Sequence, residues 1–418
     1  MRISSISLGV LWITLLLSSS CASHQKHIET QSFAVYPIDQ MVVLRSQLAQ
    51  REELAKLVSA LENEAKVLLN SPEFSVLQKQ HTPPSGVMND YYSMGVYWWP
   101  DSTKEDGLPY IRRDGVRNPE YDQFDGPAIA KMSRTVFKLS LAYFYTQEKS
   151  YADKAIELIR VWFLDPERKM NPHLEYGQAI PGRVEGRGIG IIETGNFLKV
   201  LNAVAMLDES GAIPSEIRQG LKAWFLEYNY WLLTSEKGWD ERLWHNNHGS
   251  SYDSQVASFA LFTGEDSVAR LILDSVKIKR IDRQIEPDGS QPWELERTKS
   301  LSYSLKNLDH LIENAILAQH IGIDLWHYES EDKGSISQAI KFLIPYMQGE
   351  HEWPYTQYGG IEKKRQHYAN LIWVASQYLD DPLIHQTISQ LQEEGYYPSR
   401  IHLLYPENES QVPQQIKK

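Results

Sequence analysis

Apolar residues recur at helix spacing over most of this chain. Met41, Leu44, Leu48, Leu54, Leu57, Val58, Leu61 and Leu68 open the pattern. Such a stripe lets one face of an α-helix bury while the opposite face stays wet. Comparable stretches follow at 128–146, 152–164, 188–207, 214–234, 252–263, 266–279, 299–320, 334–347, 365–378 and 382–394. Short connectors carrying Gly, Pro or Asp separate them. No run of alternating positions leads into a hairpin turn, which argues against a β-rich main domain. Many antiparallel helices without a heptad seam predict hairpins stacked side by side. The expected fold class is therefore all-α. Periodicity alone fits a closed (α/α) toroid and an open solenoid equally.

Three stretches break the helical period: Asn89 to Asp125, Met170 to Arg187, and Ile281 to Arg297. All are rich in polar and aromatic side chains. Long irregular segments inside a compact domain are either functional or disordered, and the aromatics here argue for order. These stretches are the expected rims of a cleft.

The first residues, MRISSISLGVLWITLLLSSSC, pair an early Arg2 with an apolar run from Leu8 to Leu17 and small residues before Cys21. That is the layout of an export signal, and the apolar run is too short to span a bilayer. Cys21 is the one cysteine. Its place after Leu-Ser-Ser-Ser fits a bacterial lipoprotein signal, in which this cysteine becomes the lipidated first residue. An ordinary cleaved signal with an incidental cysteine is the alternative. The expected organisation is a signal segment at 1–21, a polar tether at 22–35 and one catalytic domain at 36–418, exported to the periplasm or cell surface. Membrane contact is expected only through a lipid on Cys21. With a single cysteine no intramolecular disulfide can form, so packing must supply the stability.

Composition sharpens this picture in three ways. The chain has 418 residues and is 42% hydrophobic, enough to bury a large core. Its 12 Trp and 23 Tyr outnumber 11 Phe, and aromatics with a polar handle suit sugar-binding clefts. The net charge of −12 excludes a broad basic surface for nucleic acid. An acidic ligand would need a local cluster of Arg, Lys and His.

Trp244-His245-Asn246-Asn247-His248-Gly249 stands just before a helical run beginning near Tyr252. Polar side chains at a helix entry can converge beside free backbone N–H groups and the positive dipole end, a good place for a carboxylate. A plain helix cap with two satisfied histidines fits equally. Trp293-Glu294-Leu295-Glu296-Arg297 precedes a helix that buries Leu301, Leu305, Leu308 and Ile312. Tyr303, Asn307, His310 and Asn314 fall on a separate polar stripe of that helix. Arg297 can meet Tyr303 only from a non-helical entry, which Asp288-Gly289 and Pro292 make feasible. The alternative is a helix with a solvated face. Tyr91 and Tyr92 beside Arg112 and Arg113 suit a sugar ring bearing a carboxylate. Gln178 and Arg187, in a Gly-rich bend, are either anion-binding or partners of acidic loops.

The segments YYSMGVYWWPD, LPYIRRDG, NNHG and ELER with the following Tyr303-Ser304 occur in that order. Together they resemble the alginate lyase superfamily of helical polysaccharide lyases, from about residue 85 to 365. The spacing of the Arg and the Tyr resembles the branch holding both alginate and glucuronan lyases. The resemblance implies an (α/α) toroid that cleaves an acidic polysaccharide, a polyuronate such as alginate, by β-elimination. It also implies a site of Asn247, His248, Arg297 and Tyr303. With it, the expected substrate-binding residues are Tyr91, Tyr92, Arg112, Arg113, Gln178, Arg187, Tyr252 and Trp293. Nearby Arg297 is expected to favour the Tyr303 phenolate, since an opposite charge lowers the pKa of an acid. The scheme needs no cofactor or metal, and no HExxH or EF-hand spacing occurs. Two competing readings stay open. One is a toroidal glycoside hydrolase working through a carboxylate pair drawn from Glu286, Asp288, Glu294 and Glu296. The other is a surface glycan-binding lipoprotein without catalysis.

Overall fold

The computed structural model describes residues 35–407. The signal segment, Cys21 and all of the tether except Val35 lie outside them. Val35 is already docked: its side chain is buried, and its N–H donates to Asn202 Oδ1 at 2.9 Å.

The helices alternate between an inner and an outer row. The inner row is Gly126–Thr146 (α3), Phe197–Glu209 (α5), Asn247–Thr263 (α8), Ser300–His320 (α10) and Arg365–Ser376 (α12). Each packs on the next. The outer row is Glu52–Leu68 (α2), Lys149–Phe163 (α4), Ser215–Thr234 (α6), Asp266–Val276 (α9), Ile336–Met347 (α11) and Pro382–Glu393 (α13). The rows differ as burial demands. Outer α9 buries the single stripe Ala269, Ile272, Leu273 and Val276. Inner α8 is covered nearly all round, so small and polar residues such as Ser250, Ser254 and Ala257 fill it where backbones come close.

Ring closure, which periodicity left open, comes from the chain ends. Helix α12 packs on the short turn Ile401–Leu404, which packs on α2 and on Ile38–Gln47 (α1), and α1 packs on α5. Tyr36 meets Tyr405 edge to face at this seam, with ring centroids 5.5 Å apart. One apolar cluster runs from Val35 to Tyr405. The architecture is the expected all-α toroid.

The irregular stretches carry two small sheets. Tyr92–Met94 (β1) pairs in parallel with Tyr176–Ala179 (β4), and Trp98–Trp99 (β2) pairs antiparallel with Ile111–Arg112 (β3). Buried Glu193 ties them down, accepting hydrogen bonds from Tyr91, Ser93 and Tyr121 at 2.8, 2.6 and 3.0 Å. All these segments lead into the N-terminal ends of inner helices, as do residues 244–246 before α8 and 296–299 before α10.

Some boundaries differ from the expected ones. The stretch 188–207 divides into a 3-10 segment, Gly188–Asn196, and α5. The stretch 266–279 ends as α-helix at Val276 and continues as a π turn, Lys277–Ile281. Glu236–Leu243 (α7) has no apolar stripe and was not expected. It buries only Gly238 and Glu241 and starts from Ser235, whose Oγ accepts from the Gly238 N–H at 3.0 Å.

Candidate active site

A cavity of about 640 Å³ opens at the N-terminal end of the inner helices. Asn247, His248, Arg297, Tyr303, Arg112, Gln178, Arg187 and Trp293 all border it, with Tyr97, Trp98, Trp244, His245, Lys299 and Lys306. Residues far apart in sequence meet there because each belongs to an entry into an inner helix.

Helix α8 begins at Asn247, earlier than expected. Asn246 is its cap, its Oδ1 accepting from the His248 N–H at 3.1 Å. Asn247 and His248 therefore occupy the first turn, where the helix dipole favours negative charge. The loop behind them is clamped by Arg280 of the π turn. Its Nε and Nη2 reach Asp253 at 2.7 and 3.2 Å, and its Nη1 and Nη2 donate to the Trp244 and Arg242 carbonyls at 2.8 Å each. Gly249 makes room for this clamp: a Cβ there would lie 2.3 Å from Arg280 Nη1 and 2.1 Å from the Trp244 oxygen.

Arg297 lies between the turn Pro292–Leu295 and α10, outside the helix, as its meeting with Tyr303 requires. Its guanidinium stands 4.1 Å from the centre of the Tyr303 ring. Asp114 fixes it from behind, accepting from Arg297 Nη2 at 3.0 Å, Arg112 Nη2 at 2.8 Å and Thr298 Oγ1 at 2.9 Å. Burial works against the Asp114 charge, but these donors outweigh it and hold the carboxyl at about 2. The Tyr303 hydroxyl lies 3.1 Å from that of Tyr97.

The expectation for the Tyr303 proton is corrected. Its pKa is raised, first because burial disfavours the phenolate and then because Tyr97 stands beside it; Arg297 pulls the other way and is outweighed. With its charge already shared with Asp114, Arg297 leaves the resting Tyr303 a protonated acid.

Carboxylates also back the other two residues. Glu241, fully buried, is 2.8 Å from His248 Nδ1. Glu294, equally buried, accepts from the Asn247 backbone N–H at 2.6 Å and from Asn247 Nδ2 at 3.0 and 2.9 Å. Burial raises the pKa of both acids. Asn247 Oδ1 is buried without a partner.

Arg187 spans the opposite wall. Its Nε donates to the Gln178 carbonyl at 2.8 Å and its guanidinium lies over Trp98, 5.8 Å from the ring centre. Burial, with Arg112 nearby, lowers its pKa to about 10. Gln178 sits at φ 47°, a left-handed conformation that costs a non-glycine residue energy and recurs at functional sites. A Cβ at Gly95 would fall 2.4 Å from Trp98 Cδ1 and 2.7 Å from Arg187 Nη2, so glycine is needed for this packing.

Four expected binding residues are not at the cavity. Tyr91 has no exposed surface, and its hydroxyl donates to Glu193. Tyr252 is 1% exposed and donates to the Leu232 carbonyl at 2.8 Å. It lies on an inner helix with no wet face. Tyr92 packs edge-on against Phe124, 5.1 Å between centroids. Arg113 is exposed and lies over the outer Trp99 ring at 5.2 Å. The polar stripe of α10 is no solvated face either: Asn307 and Asn314 are fully buried. Asn307 donates to Gln284 and Gln291, and Asn314 to the Ser250 carbonyl.

Sequence reading missed Glu241, Asp114, Tyr97, Lys299 and Lys306. Tyr97 stands inside a quoted motif. Nothing in the sequence links Glu241 to His248 or Asp114 to Arg297. Glu296 is the one carboxylate side chain bordering the cavity among the described residues, so no flanking carboxylate pair exists there for a hydrolase. Glu286 faces Lys333 instead, and Asp288 caps the Ser290 N–H.

The family model for alginate lyase matches residues 75–353. The crystal structure of an alginate lyase from Bacteroides ovatus is 38% identical, with a TM-score of 0.85 over 90% of this chain and 100% of that one. Alginate lyase A1-III of a Sphingomonas species, solved complexed with a tetrasaccharide, is 16% identical. Its TM-score is 0.51 over 84% of this chain and 94% of that one, a likeness of fold alone. No curated protein matches the chain. By the family match and the Bacteroides relative, the chain belongs to the alginate lyase family and is a polysaccharide lyase.

Proposed function

We propose that this lyase cleaves alginate by β-elimination, using Tyr303, His248, Asn247 and Arg297. The observation that carries the reading is the Arg297–Tyr303 contact in a cavity shared with the entry turn of α8. The likeness to the Bacteroides protein described as an alginate lyase supports the substrate.

In a uronate chain the C5 proton lies α to the carboxylate and O4 lies β to it. The base takes H5, the C5–H electrons form the C4–C5 double bond, the C4–O4 bond breaks, and O4 leaves with a proton from the acid. The hard step is adding charge next to an existing carboxylate, so fixed positive groups must offset it. Arg187, Arg297 and Lys299 border the cavity and do so; Lys306 borders it as well, with a pKa that burial lowers. Asn247 adds a hydrogen bond to the carboxylate by turning one N–H away from Glu294, which keeps the Asn247 backbone N–H. With Glu241 ionised, His248 carries its proton on Nδ1 and offers Nε2 as an acceptor. In guluronate H5 and O4 are anti, so His248 is the base and protonated Tyr303 the acid. In mannuronate they are syn, and Tyr303 serves as both, which requires it to ionise first.

The test offers polymannuronate, polyguluronate, glucuronan and hyaluronan separately and follows ultraviolet absorbance of the new double bond. Absorbance growing on the two alginate polymers supports the reading. Growth on glucuronan alone would move the substrate to that polymer.

A further inference from the structure

The protein carries net charge −12, yet beside the cavity stands a group of cations that make no ion pair among the described residues. Arg280 joins two segments there by donating to the Arg242 carbonyl, which sets Arg242 of α7 beside the stretch 277–283. That stretch also carries Lys279 and Arg283. Among the described residues Arg242, Lys279 and Arg283 form no ion pair, whereas buried Arg280 is spent on Asp253. Like-charge crowding from Arg242, Arg280 and Arg283 adds to burial in lowering the Lys279 pKa.

Exposed aromatics flank these cations. Trp239 is 49% exposed, with the Arg242 guanidinium 4.8 Å from its ring centre. Trp293, 42% exposed, donates its indole N–H to the Arg283 carbonyl at 3.3 Å and lies against His245, 4.3 Å between centroids. Trp293 and His245 border the catalytic cavity. The strip therefore continues the cavity outward. Asp240, also on α7, borders an adjoining hollow with Lys237 and Arg187.

We infer that Trp239, Arg242, Lys279 and Arg283 form an exosite that binds the polyuronate chain beyond the residues being cleaved. Resting on the proposed function, it names how a polymer is preferred over a short oligomer. Unpaired cations spaced along a strip suit a ligand with a carboxylate on every sugar, and ring faces suit the sugars between them. Continuity with the cavity selects the substrate chain over any other polyanion.

The test is the triple variant Arg242→Gln/Lys279→Gln/Arg283→Gln, assayed against alginate polymer and against its tetrasaccharide. Surface charge contacts of this kind are individually weak, so KM for polymer should rise about five- to tenfold, about 1–1.4 kcal/mol for the three together. The kcat should hold, and turnover of the tetrasaccharide should not change. Retardation of the protein in alginate-containing gels should fall in parallel, and added salt should weaken the wild type more than the variant. Equal kinetics of wild type and variant on polymer would overturn the exosite, as would an equal loss on polymer and tetrasaccharide. Retention on anionic phospholipid vesicles without retention in alginate would overturn it too. Failure of the underlying reading has a different signature: the wild type itself would yield no unsaturated product from either substrate.

Discussion

At the scale of single residues, the site backs three of its four working groups with a carboxylate, and the fourth, Tyr303, with the Tyr97 hydroxyl. Asp114 holds Arg297, Glu241 holds His248 and Glu294 holds Asn247. Glu241→Gln keeps the shape but removes the charge that selects the Nδ1 proton. We expect kcat to fall about 10²-fold on polyguluronate, in the range of positioned acid–base catalysis, with KM little changed. Steady-state kinetics on that polymer measures it, and an unchanged kcat would show that His248 does not need the Glu241 charge. The burial of Tyr303 predicts a further split. On polymannuronate the phenol must ionise, so kcat should climb toward alkaline pH. On polyguluronate the protonated phenol is the acid, and burial keeps it protonated, so kcat should stay level there. Parallel pH profiles on the two polymers would contradict these roles. Asp114 gives a stability test with a definite sign. Its folded pKa of about 2 lies below the ordinary 3.8, so the unfolded chain binds the extra proton. Its contribution is complete above 3.8 and is lost as pH falls toward 2. Asp114→Asn should be less stable at neutral pH, and the difference should shrink across that window in denaturant titrations.

At the scale of elements, the amphipathic outer helices were plain in the sequence because each buries one stripe. The inner helices were harder. The start of α8 was expected near Tyr252, because Asn247 to Ser251 are polar or small and show no apolar period. Their burial comes from close backbone packing, which a hydrophobic pattern cannot report. Tyr91 and Tyr252 were misplaced for a related reason: an aromatic in a polar stretch looks the same facing a cleft or donating to a buried carboxylate or carbonyl. The position of Arg297 outside α10 was legible, since residues six apart cannot share a helix face. The partners Glu241 and Asp114 were not, because only the fold brings them near. The π turn is the element we would test. Arg280→Met leaves Asp253 buried and unpaired, which should cost about 3–5 kcal/mol. Chemical denaturation measures that loss, and a change below about 1 kcal/mol would show that the clamp does not hold the Trp244 loop.

At the scale of the whole molecule, the toroid gathers the N-terminal ends of its inner helices at one mouth. A chain of net charge −12 thereby keeps a cationic pocket for an anionic polymer. We propose that export and a lipid on Cys21 hold this mouth at the cell surface or in the periplasm. Cys21→Ala should move the protein from the membrane fraction to the soluble one, and an unchanged distribution would dismiss the anchor. Elimination at Tyr303 is tested by ultraviolet absorbance during alginate digestion by wild type and by a folded Tyr303→Phe variant. Absorbance should grow steadily for the wild type and not at all for the variant. Growth in the variant at a near-normal rate would contradict it, as would wild-type release of reducing ends without absorbance.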